Sequence, residues 1–194
     1  MNPTKSIMIV GVGGQGTLLA SRILGHAIVS QGYDVKVSEV HGMSQRGGSV
    51  VTYVRYGDRV DSPIVDEGQA DVILSFEQLE AARYLTYLKP NGTLLTNIQQ
   101  IDPMPVITGA AAYPDDLIGK MRAAGVDLIA VDALKLAEEA GSAKAINVAL
   151  IGVLSNHMAF DESVWKEAID ACVPPKFLAI NQKAFALGRA YKED

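Results

Sequence analysis

The apolar residues of this chain fall into short runs that alternate with longer segments of helical periodicity. A run such as residues 7–10 is typical of a strand buried on both faces, whereas residues 17–28 repeat their apolar positions at helical spacing. Strands that alternate with helices predict an α/β fold with a doubly wound, mainly parallel, Rossmann-like sheet. The pattern predicts strands at 7–10, 35–39, 49–54, 70–76, 93–97, 106–108 and 126–131, and helices at 17–28, 77–85, 114–124 and 133–140.

The C-terminal part of the chain is expected to be helical from residue 143 onward, and Pro174 and Pro175 separate its last two helices. Asp132 is a suitable N-cap for the helix that begins at residue 133. The sequence contains no internal repeat, low-complexity tract or linker. A chain of 194 residues is long enough for one domain of ordinary to large size, and we expect a single domain over residues 1–194.

Composition narrows the classes of protein to which the chain could belong. The apolar fraction of 48% is that of a globular protein, and a net charge of −5 argues against nucleic acid as a main partner. Apolar runs stay below the roughly 18 residues of a membrane span. The N-terminal residues Met-Asn-Pro-Thr-Lys do not resemble a secretory signal. We therefore expect a cytoplasmic protein without a membrane partner.

The first candidate for chemistry is a glycine-rich turn between a strand and a helix. Residues 11–16 read Gly-Val-Gly-Gly-Gln-Gly and fit the G-x-G-x-x-G pattern in the context that it requires. Glycines allow a tight turn and close approach of a phosphate, and free N–H groups at a helix start favour an anion. Glu39, about 20 residues further on, lies where the ribose-binding acid of a dinucleotide fold is found. The alternative is that the glycines only allow the helix to pack closely on the strand.

The second candidate is the polar segment that follows the second predicted strand. Residues 39–50 place a carboxylate, an imidazole, a hydroxyl, an amide and a guanidinium among three glycines. A polar loop at the carboxyl end of a strand is where open α/β sheets place their sites. Arg46 in such a loop offers a planar set of donors to carboxylate or phosphate. The alternative is a glycine-rich turn with a solvated arginine.

Other reactive side chains favour structural roles. The single cysteine, Cys172, excludes an intrachain disulfide and a cluster held by about four thiolates, and a buried thiol is its expected state. The histidines share no metal-ligand spacing, so no metal is expected and His26 and His157 are interpreted as structural. Asn147 stands at the start of a predicted helix, where it either caps the helix or faces the crevice.

Three motifs together resemble the gamma-type subunits of 2-oxoacid:ferredoxin oxidoreductases. The form His-Gly-Met-Ser-Gln-Arg is most similar to that of the beta subunits of indolepyruvate ferredoxin oxidoreductases. The resemblance covers essentially the whole chain, and its second motif is the specific one. The motifs are residues 11–16, 39–48 and 70–77, extended by 147–152, by 173–176 with Asn181, and by 184–188.

The resemblance implies a reaction that this chain cannot perform alone. An aryl-2-oxoacid such as indolepyruvate is oxidatively decarboxylated to an acyl-CoA and CO2, and the electrons pass to ferredoxin. Thiamine diphosphate and [4Fe-4S] clusters are implied to belong to a larger partner subunit, and coenzyme A is a co-substrate. The implied assembly is a heterodimer or a dimer of heterodimers. An apolar face left without its large partner would favour a homodimer of the isolated chain.

On this interpretation the present chain completes the active site and helps to bind coenzyme A or the 2-oxoacid. The glycine turn and Arg46 would bind phosphate or carboxylate oxygens, while His41, Ser44 and Gln45 would orient substrate or partner groups. Glu39 would hold Arg46 or a loop amide, and His41 and Arg46 are the candidates for a catalytic role. The predicted binding residues are Gly11, Gly13, Gly14, Gln15, Gly16, Glu39, Gly42, Ser44, Gln45, Arg46, Gly47 and Asn147.

Two other functions are compatible with the same residues. A stand-alone NAD-binding Rossmann protein is supported by the glycine fingerprint and Glu39, although a chain this short shows no separate substrate domain. A scaffold subunit without ligand contact would use both glycine loops for packing against a partner. The sequence also does not separate indolepyruvate from phenylpyruvate or a branched 2-oxoacid.

Overall fold

The computed structural model of the protein describes residues 3–42 and 47–193. Short 3-10 turns at Leu85–Tyr87, Ala143–Ala145 and Pro175–Phe177 join some of its elements. Its strands are β1 (Lys5–Val12), β2 (Asp34–His41), β3 (Ser49–Gly57), β4 (Ala70–Ser75), β5 (Leu88–Asn97) and β6 (Asp127–Val131). Its helices are α1 (Thr17–Ser30), α2 (Gln78–Arg83), α3 (Met104–Ile107), α4 (Leu117–Ala123), α5 (Ala133–Ala140), α6 (Ile146–Ser155), α7 (Glu162–Cys172) and α8 (Leu178–Ala190).

The strands form one six-stranded sheet in the order β2-β3-β1-β4-β5-β6. Strands β1, β4, β5 and β6 pair in parallel, while β3 is antiparallel to both β1 and β2. Strand β2 therefore runs in the same direction as β1, although β3 lies between them. The carboxyl ends of β1, β2, β4, β5 and β6 meet at one edge of the sheet, which we call the carboxyl edge. The prediction of a mainly parallel sheet is confirmed.

Both faces of the sheet are covered, as expected for a doubly wound fold. Alternate residues of β1 point to opposite faces, so Ile7 and Ile9 belong to one core while Met8 and Val10 belong to the other. The first core packs against α1, α6, α7 and α8, and it contains the fully buried Trp165. The second core is smaller and packs against α2 and α4.

Helices α6 and α8 approach each other through glycines. A Cβ added at Gly188 would lie 1.9 Å from the Ala149 carbonyl oxygen, and one added at Gly152 would lie 2.3 Å from the Phe185 carbonyl oxygen. A side chain at either position would separate the two backbones. The motifs at 147–152 and 184–188 therefore bring these two helices into close backbone contact.

The predicted strand at 106–108 is wrong, because these residues lie in or just after the short helix α3. Amide groups of Val106 and Ile107 donate to the Pro103 carbonyl oxygen, 2.9 and 3.1 Å away, so the segment satisfies its backbone locally without a neighbouring strand. The other boundaries agree within about three residues, except that β5 begins at Leu88 and not at the predicted residue 93. Asp132 accepts a hydrogen bond from the Lys135 amide at 3.0 Å, which confirms it as the N-cap of α5.

Within residues 3–42 and 47–193, no helix is long and apolar enough to cross a membrane.

Candidate functional site at the carboxyl edge

The glycine turn at 11–16 leaves β1 and enters α1 across the carboxyl edge. Gly14 and Gly16 take φ values of +104° and +84°, a region that side chains other than glycine rarely adopt. Gly14 is exposed, and a Cβ added there would meet nothing within 4 Å. A Cβ added at Gly16 would lie 2.7 Å from Asn147 Nδ2. The two positions therefore require glycine for different reasons, Gly14 for its conformation alone and Gly16 also for space.

The turn leaves backbone donors open at the start of α1. Among the described residues, the amide groups of Gly14, Gly16, Thr17 and Leu18 have no hydrogen-bond acceptor. Gly16 is the N-cap and has no side chain to bond them, and the first turn of α1 carries no acidic residue. A fourteen-residue helix that begins in this way directs open N–H groups and the positive end of its dipole toward the carboxyl edge. This arrangement favours an anionic group such as a phosphate.

Gln15, a predicted ligand contact, is partly exposed at a cleft beside the turn, but its side chain is engaged in hydrogen bonds within the protein. Its Oε1 accepts from the Val12 amide at 2.7 Å. Its Nε2 donates to the Phe76 carbonyl oxygen at 2.9 Å and to Gln99 Oε1 at 3.2 Å. The side chain thus ties the turn to the segments that follow β4 and β5. A Cβ at Gly11 would lie 2.9 Å from Gln15 Oε1 and from Phe76 Cβ, so Gly11 makes room for this brace.

Gly13 and Gly47 connect the two predicted motifs. The Gly13 amide donates to the Gly48 carbonyl oxygen at 2.8 Å, and the Gly47 amide donates to the Gly13 carbonyl oxygen at 3.3 Å. These bonds continue the β1–β3 ladder beyond the strand ends. The glycine turn and the polar segment after β2 are therefore held together by backbone hydrogen bonds.

Glu39, His41 and Gly42 lie at the exposed carboxyl end of β2. The Glu39 carboxylate accepts from Thr52 Oγ1 at 3.3 Å, and His41 Nδ1 lies 3.3 Å from the Gly42 carbonyl oxygen. Both side chains line a cleft of ≈ 370 Å³ together with Val50, Gly13, Gly14, Gly16, Thr17 and Leu18. Ser44, Gln45 and Arg46 lie outside the described residues, so their predicted roles stay predictions.

The position of Glu39 departs from the dinucleotide-binding arrangement. In that fold the strand with the ribose-binding acid lies next to β1. Here β3 lies between β2 and β1, which moves Glu39 outward by one further strand spacing of about 4.8 Å. The carboxylate still faces the cleft, but the sheet order weakens the interpretation as an NAD-binding Rossmann protein.

A second cleft of ≈ 440 Å³ lies on the other side of the glycine turn, between it and the start of α6. Asn147 is 5% exposed; its Nδ2 donates to the Gly16 carbonyl oxygen at 3.2 Å and its Oδ1 accepts from the Val148 amide at 2.9 Å. Ala145, and not Asn147, is the N-cap of α6, yet Asn147 does satisfy a first-turn amide as a cap would. It also lines the cleft, with Gln99 and Lys144. Sequence reasoning missed Lys144, which carries no motif of its own.

Sequence reasoning also missed a buried carboxylate near the carboxyl edge, that of Glu77. Glu77 is 1% exposed and accepts from the amides of Glu80 at 2.9 Å and Ile101 at 3.1 Å, and from the Tyr113 hydroxyl. Burial raises the pKa of Tyr113, and the Glu77 carboxylate raises it further. Glu77 therefore caps α2 and holds both ends of the segment that carries α3. The sequence feature that could have identified Glu77 is its position directly after a buried strand.

The remaining reactive side chains occupy structural positions. Burial raises the pKa of the Cys172 thiol, which opposes thiolate chemistry. His157 and His26 are both exposed, although desolvation lowers the pKa of the His157 imidazole. Within the described part of the chain, no group of three or more histidine, cysteine or acidic side chains could hold a metal ion.

Known proteins are similar to this chain in sequence over nearly its whole length. The profile of the family described as pyruvate ferredoxin/flavodoxin oxidoreductase matches residues 6–191. The indolepyruvate oxidoreductase subunit IorB of Thermococcus kodakarensis is 50% identical, with 97% of this chain and 96% of the relative covered.

Solved structures share the fold over nearly the whole chain. The gamma subunit of a keto/oxoacid ferredoxin oxidoreductase from Geobacter sulfurreducens superposes with a TM-score of 0.70 at 24% identity, covering 95% of each chain. A 2-oxoglutarate:ferredoxin oxidoreductase from Magnetococcus marinus, solved with 2-oxoglutarate, coenzyme A and succinyl-CoA bound, superposes with a TM-score of 0.70 at 20% identity. That match covers 98% of this chain but 32% of the longer one. The present chain therefore belongs to the pyruvate ferredoxin/flavodoxin oxidoreductase family, and the resemblance drawn from its motifs is confirmed.

Proposed function

We propose that this chain, acting as one gamma-type domain over residues 1–194, is the small subunit of a cytoplasmic indolepyruvate:ferredoxin oxidoreductase. The complex converts an arylpyruvate and coenzyme A into an acyl-CoA and CO2, and it reduces ferredoxin. The substrate assignment rests on the 50% identity to an indolepyruvate oxidoreductase subunit. The chain is not active alone, because the cofactors that carry the reaction belong to its partner.

The observation that carries a binding role for this chain is the set of open amides at the start of α1. They lie between the two clefts of the carboxyl edge. Coenzyme A carries phosphates, and a helix start with free N–H groups is suited to them. The 2-oxoacid, in contrast, offers only one carboxylate. We therefore assign the glycine turn to the phosphates of coenzyme A, which enters as a co-substrate.

A larger partner supplies what this chain lacks. Its single cysteine cannot ligate an iron–sulfur cluster, which needs about four thiolates. The 2-oxoglutarate:ferredoxin oxidoreductase chain that contains this fold is about three times longer, since this fold covers 32% of it. We infer that a separate, larger subunit binds thiamine diphosphate and [4Fe-4S] clusters, which supply the decarboxylation and electron transfer. A heterodimer or its dimer would then pass electrons to ferredoxin.

The polar segment after β2 is assigned to the boundary between this chain and its partner. Glu39 and His41 are exposed at the cleft mouth and make few hydrogen bonds to other described residues, so they are available to orient substrate or partner groups. Arg46 is assigned to a carboxylate or phosphate of the substrates. Arg46→Ala should lower turnover of the assembled complex at least tenfold, whereas the highly exposed Arg59 offers a control. Equal and small effects of Arg46→Ala and Arg59→Ala would contradict this role.

The experiment that tests the function is reconstitution. The chain is produced together with its larger partner, and the purified complex is assayed for ferredoxin reduction with coenzyme A and indolepyruvate, phenylpyruvate or 2-oxoisovalerate. We expect acyl-CoA formation with the highest kcat/KM for indolepyruvate, and none from either chain alone. A partner-free chain that binds NADH at micromolar concentration would overturn the proposal. If the complex still assembled with full activity after the polar side chains of both glycine-rich segments had been replaced, this chain would instead be a scaffold subunit.

A further inference from the structure

A small polar cavity lies under the loop that joins β3 to β4, and the function proposed above gives it no role. The loop spans residues 58–69, and its buried Val65 belongs to the second core. The cavity has a volume of ≈ 160 Å³. Apart from Ile64 and Val65, its lining consists of polar or charged residues, namely Thr4, Ser6, Arg55, Asp66, Gln69 and Lys89.

The loop fixes the guanidinium of Arg55, which lines the cavity from β3. Its Nη1 donates to the carbonyl oxygens of Ser62 at 3.1 Å and Ile64 at 3.0 Å. Its Nε is buried without an acceptor, and its Nη2 has no acceptor among the described residues. Buried donors without a partner are rare in folded proteins. The guanidinium is therefore held in place while part of its hydrogen-bonding capacity stays unused.

The positive charge of Arg55 has no carboxylate to neutralise it, since Arg55 makes no ion pair with any described residue. Lys89 is a second cation of the lining, and its partner Asp71, 2.8 Å away, is shared with Lys5. Asp66 brings a carboxylate to the lining but is exposed to solvent. Among these residues three cations stand against two carboxylates, an excess of positive charge in a chain whose net charge is −5.

Ser6 places a hydroxyl next to Arg55. The two residues lie directly opposite each other in the β1–β3 ladder, so their side chains share one face of the sheet. Ser6 is 4% exposed, and its hydroxyl has no hydrogen-bond partner among the described residues. A nearly buried hydroxyl that lines a cavity and lacks a partner is available to a ligand. Thr4 adds a second such hydroxyl, although it is less buried.

We propose that this cavity binds a small oxyanion of the phosphate or sulfate class. Arg55 and Lys89 supply positive charge and charge-assisted donors, and the hydroxyls of Ser6 and Thr4 donate to further oxygens. The cavity is well below the roughly 300 Å³ at which sites for drug-sized ligands begin, so it suits one oxyanion group with little attached to it. The carboxylate of Asp66 opposes a polyanion.

Calorimetric titration of the full chain with inorganic phosphate and with sulfate tests the proposal. The ionic strength is held constant, because both ions also stabilise proteins without a specific site. We expect one saturable site per chain, and Arg55→Gln should raise its Kd at least tenfold. Arg59→Gln is the matched control, since Arg59 lies in the neighbouring loop, is highly exposed and pairs with Asp61. Equal Kd values in the two variants would overturn the site.

A second pair of variants separates binding from folding, because Arg55→Gln also loses the bonds to the loop. Ser6→Asp places a carboxylate beside Arg55, whereas Ser6→Asn has nearly the same shape without the charge. Ser6→Asp should abolish phosphate binding and should have the higher thermal unfolding midpoint in phosphate-free buffer, because its carboxylate takes the place of the oxyanion. Equal midpoints for the two variants would show that Arg55 needs no anionic partner and would overturn the proposal.

Free phosphate and the phosphate of a small monoester share this chemistry, and a titration with glycerol 1-phosphate distinguishes them. Tighter binding of the monoester identifies a phosphorylated small molecule as the ligand, whereas tighter binding of phosphate identifies the free ion. If the wild-type chain binds none of phosphate, sulfate and glycerol 1-phosphate saturably, the proposal is wrong. None of these measurements uses acyl-CoA formation, so their outcome is independent of the function proposed above.

Discussion

The two edges of the sheet carry their polar groups differently. At the amino edge, Asp71 accepts from the Ser6 amide at 2.8 Å and pairs with Lys89 at 2.8 Å and Lys5 at 3.4 Å. At the carboxyl edge, the start of α1 presents backbone amides with no acceptor among the described residues. Charges that are satisfied within the chain stabilise the fold, whereas donors that are left open are available to a ligand. The difference supports our proposal of a functional site at the carboxyl edge.

Burial and pairing have opposite effects at the amino edge. Burial pushes the pKa of Asp71 upward, but the hydrogen bonds from Lys89 and the Ser6 amide, and the charge of Lys5, hold that pKa below its usual range. Burial raises the pKa of nearby Tyr56 to about 12. Both groups line a cavity of ≈ 210 Å³ with His157. These groups keep one charge state near neutral pH, as expected for structural groups.

The largest effect should come from the brace that holds the glycine turn. Gln15→Glu preserves the size of the side chain but removes the donors to Phe76 and Gln99. Two acceptors would then face a carboxylate, and the free energy of unfolding should fall by about 2 to 3 kcal/mol. Urea denaturation of the isolated chain measures the change. Gln31→Glu, at an exposed position, is the control, and equal midpoints for the two variants would contradict the bracing role.

A smaller effect should follow from breaking the charge cluster at the amino edge. Asp71→Asn keeps an acceptor for the Ser6 amide but loses the pairs with the partly exposed Lys5 and Lys89, so stability at pH 7 should fall by about 1 kcal/mol. Activity of the complex should not change, because this edge is remote from the glycine turn. A lowered kcat or a raised KM for coenzyme A would break the distinction between the two edges.

The same substitution changes how stability depends on acid. Because the pKa of Asp71 is lowered in the folded protein, its contribution is present above the unfolded pKa, about 3.9, and is lost as the pH falls through the folded value. The wild-type chain should therefore lose stability below about pH 4 more steeply than Asp71→Asn. Identical acid denaturation profiles would show that the interactions of Asp71 with its partners do not stabilise the folded protein.

The smallest effect should come from His157. Burial lowers the pKa of this imidazole, so the folded state favours the neutral form. The unfolded chain takes up the proton first, and stability should fall as the pH drops below about 6.5. His157→Gln should reduce the change in the thermal unfolding midpoint between pH 7 and pH 5. If the unfolding midpoint of His157→Gln still depended on pH as in the wild type, that dependence would come from other titrating groups.

Much of the fold follows from local patterns. Apolar runs and helical periodicity predicted the β1-turn-α1 unit, and Asp132 predicted the start of α5. The direction and place of β3 were not predicted, because they depend on pairing with β1 and β2 through registers such as Val54 with Ile7 and with Val37. The prediction of a strand at 106–108 failed because a short β-branched run does not reveal whether a neighbouring strand exists.

The site was predicted at the level of motifs and not of contacts. The glycine spacing indicated an anion site, but it did not show that Gln15 turns inward to Phe76 and Gln99 while Gly14 stays exposed. Lys144 and Glu77 were missed because their roles arise from elements that meet only in the folded chain. The position of Arg46 remains a prediction.

The central claim is that the glycine turn binds the phosphates of coenzyme A, and a pair of substitutions at Gly14 tests it most directly. Asp and Asn have nearly the same shape and meet similar backbone strain at φ +104° in open space, so the main difference between them is the negative charge of Asp. The account predicts that Gly14→Asp raises the KM for coenzyme A in the assembled complex about tenfold or more above that of Gly14→Asn, with the KM for the 2-oxoacid unchanged. Equal KM values for coenzyme A in the two variants would contradict it.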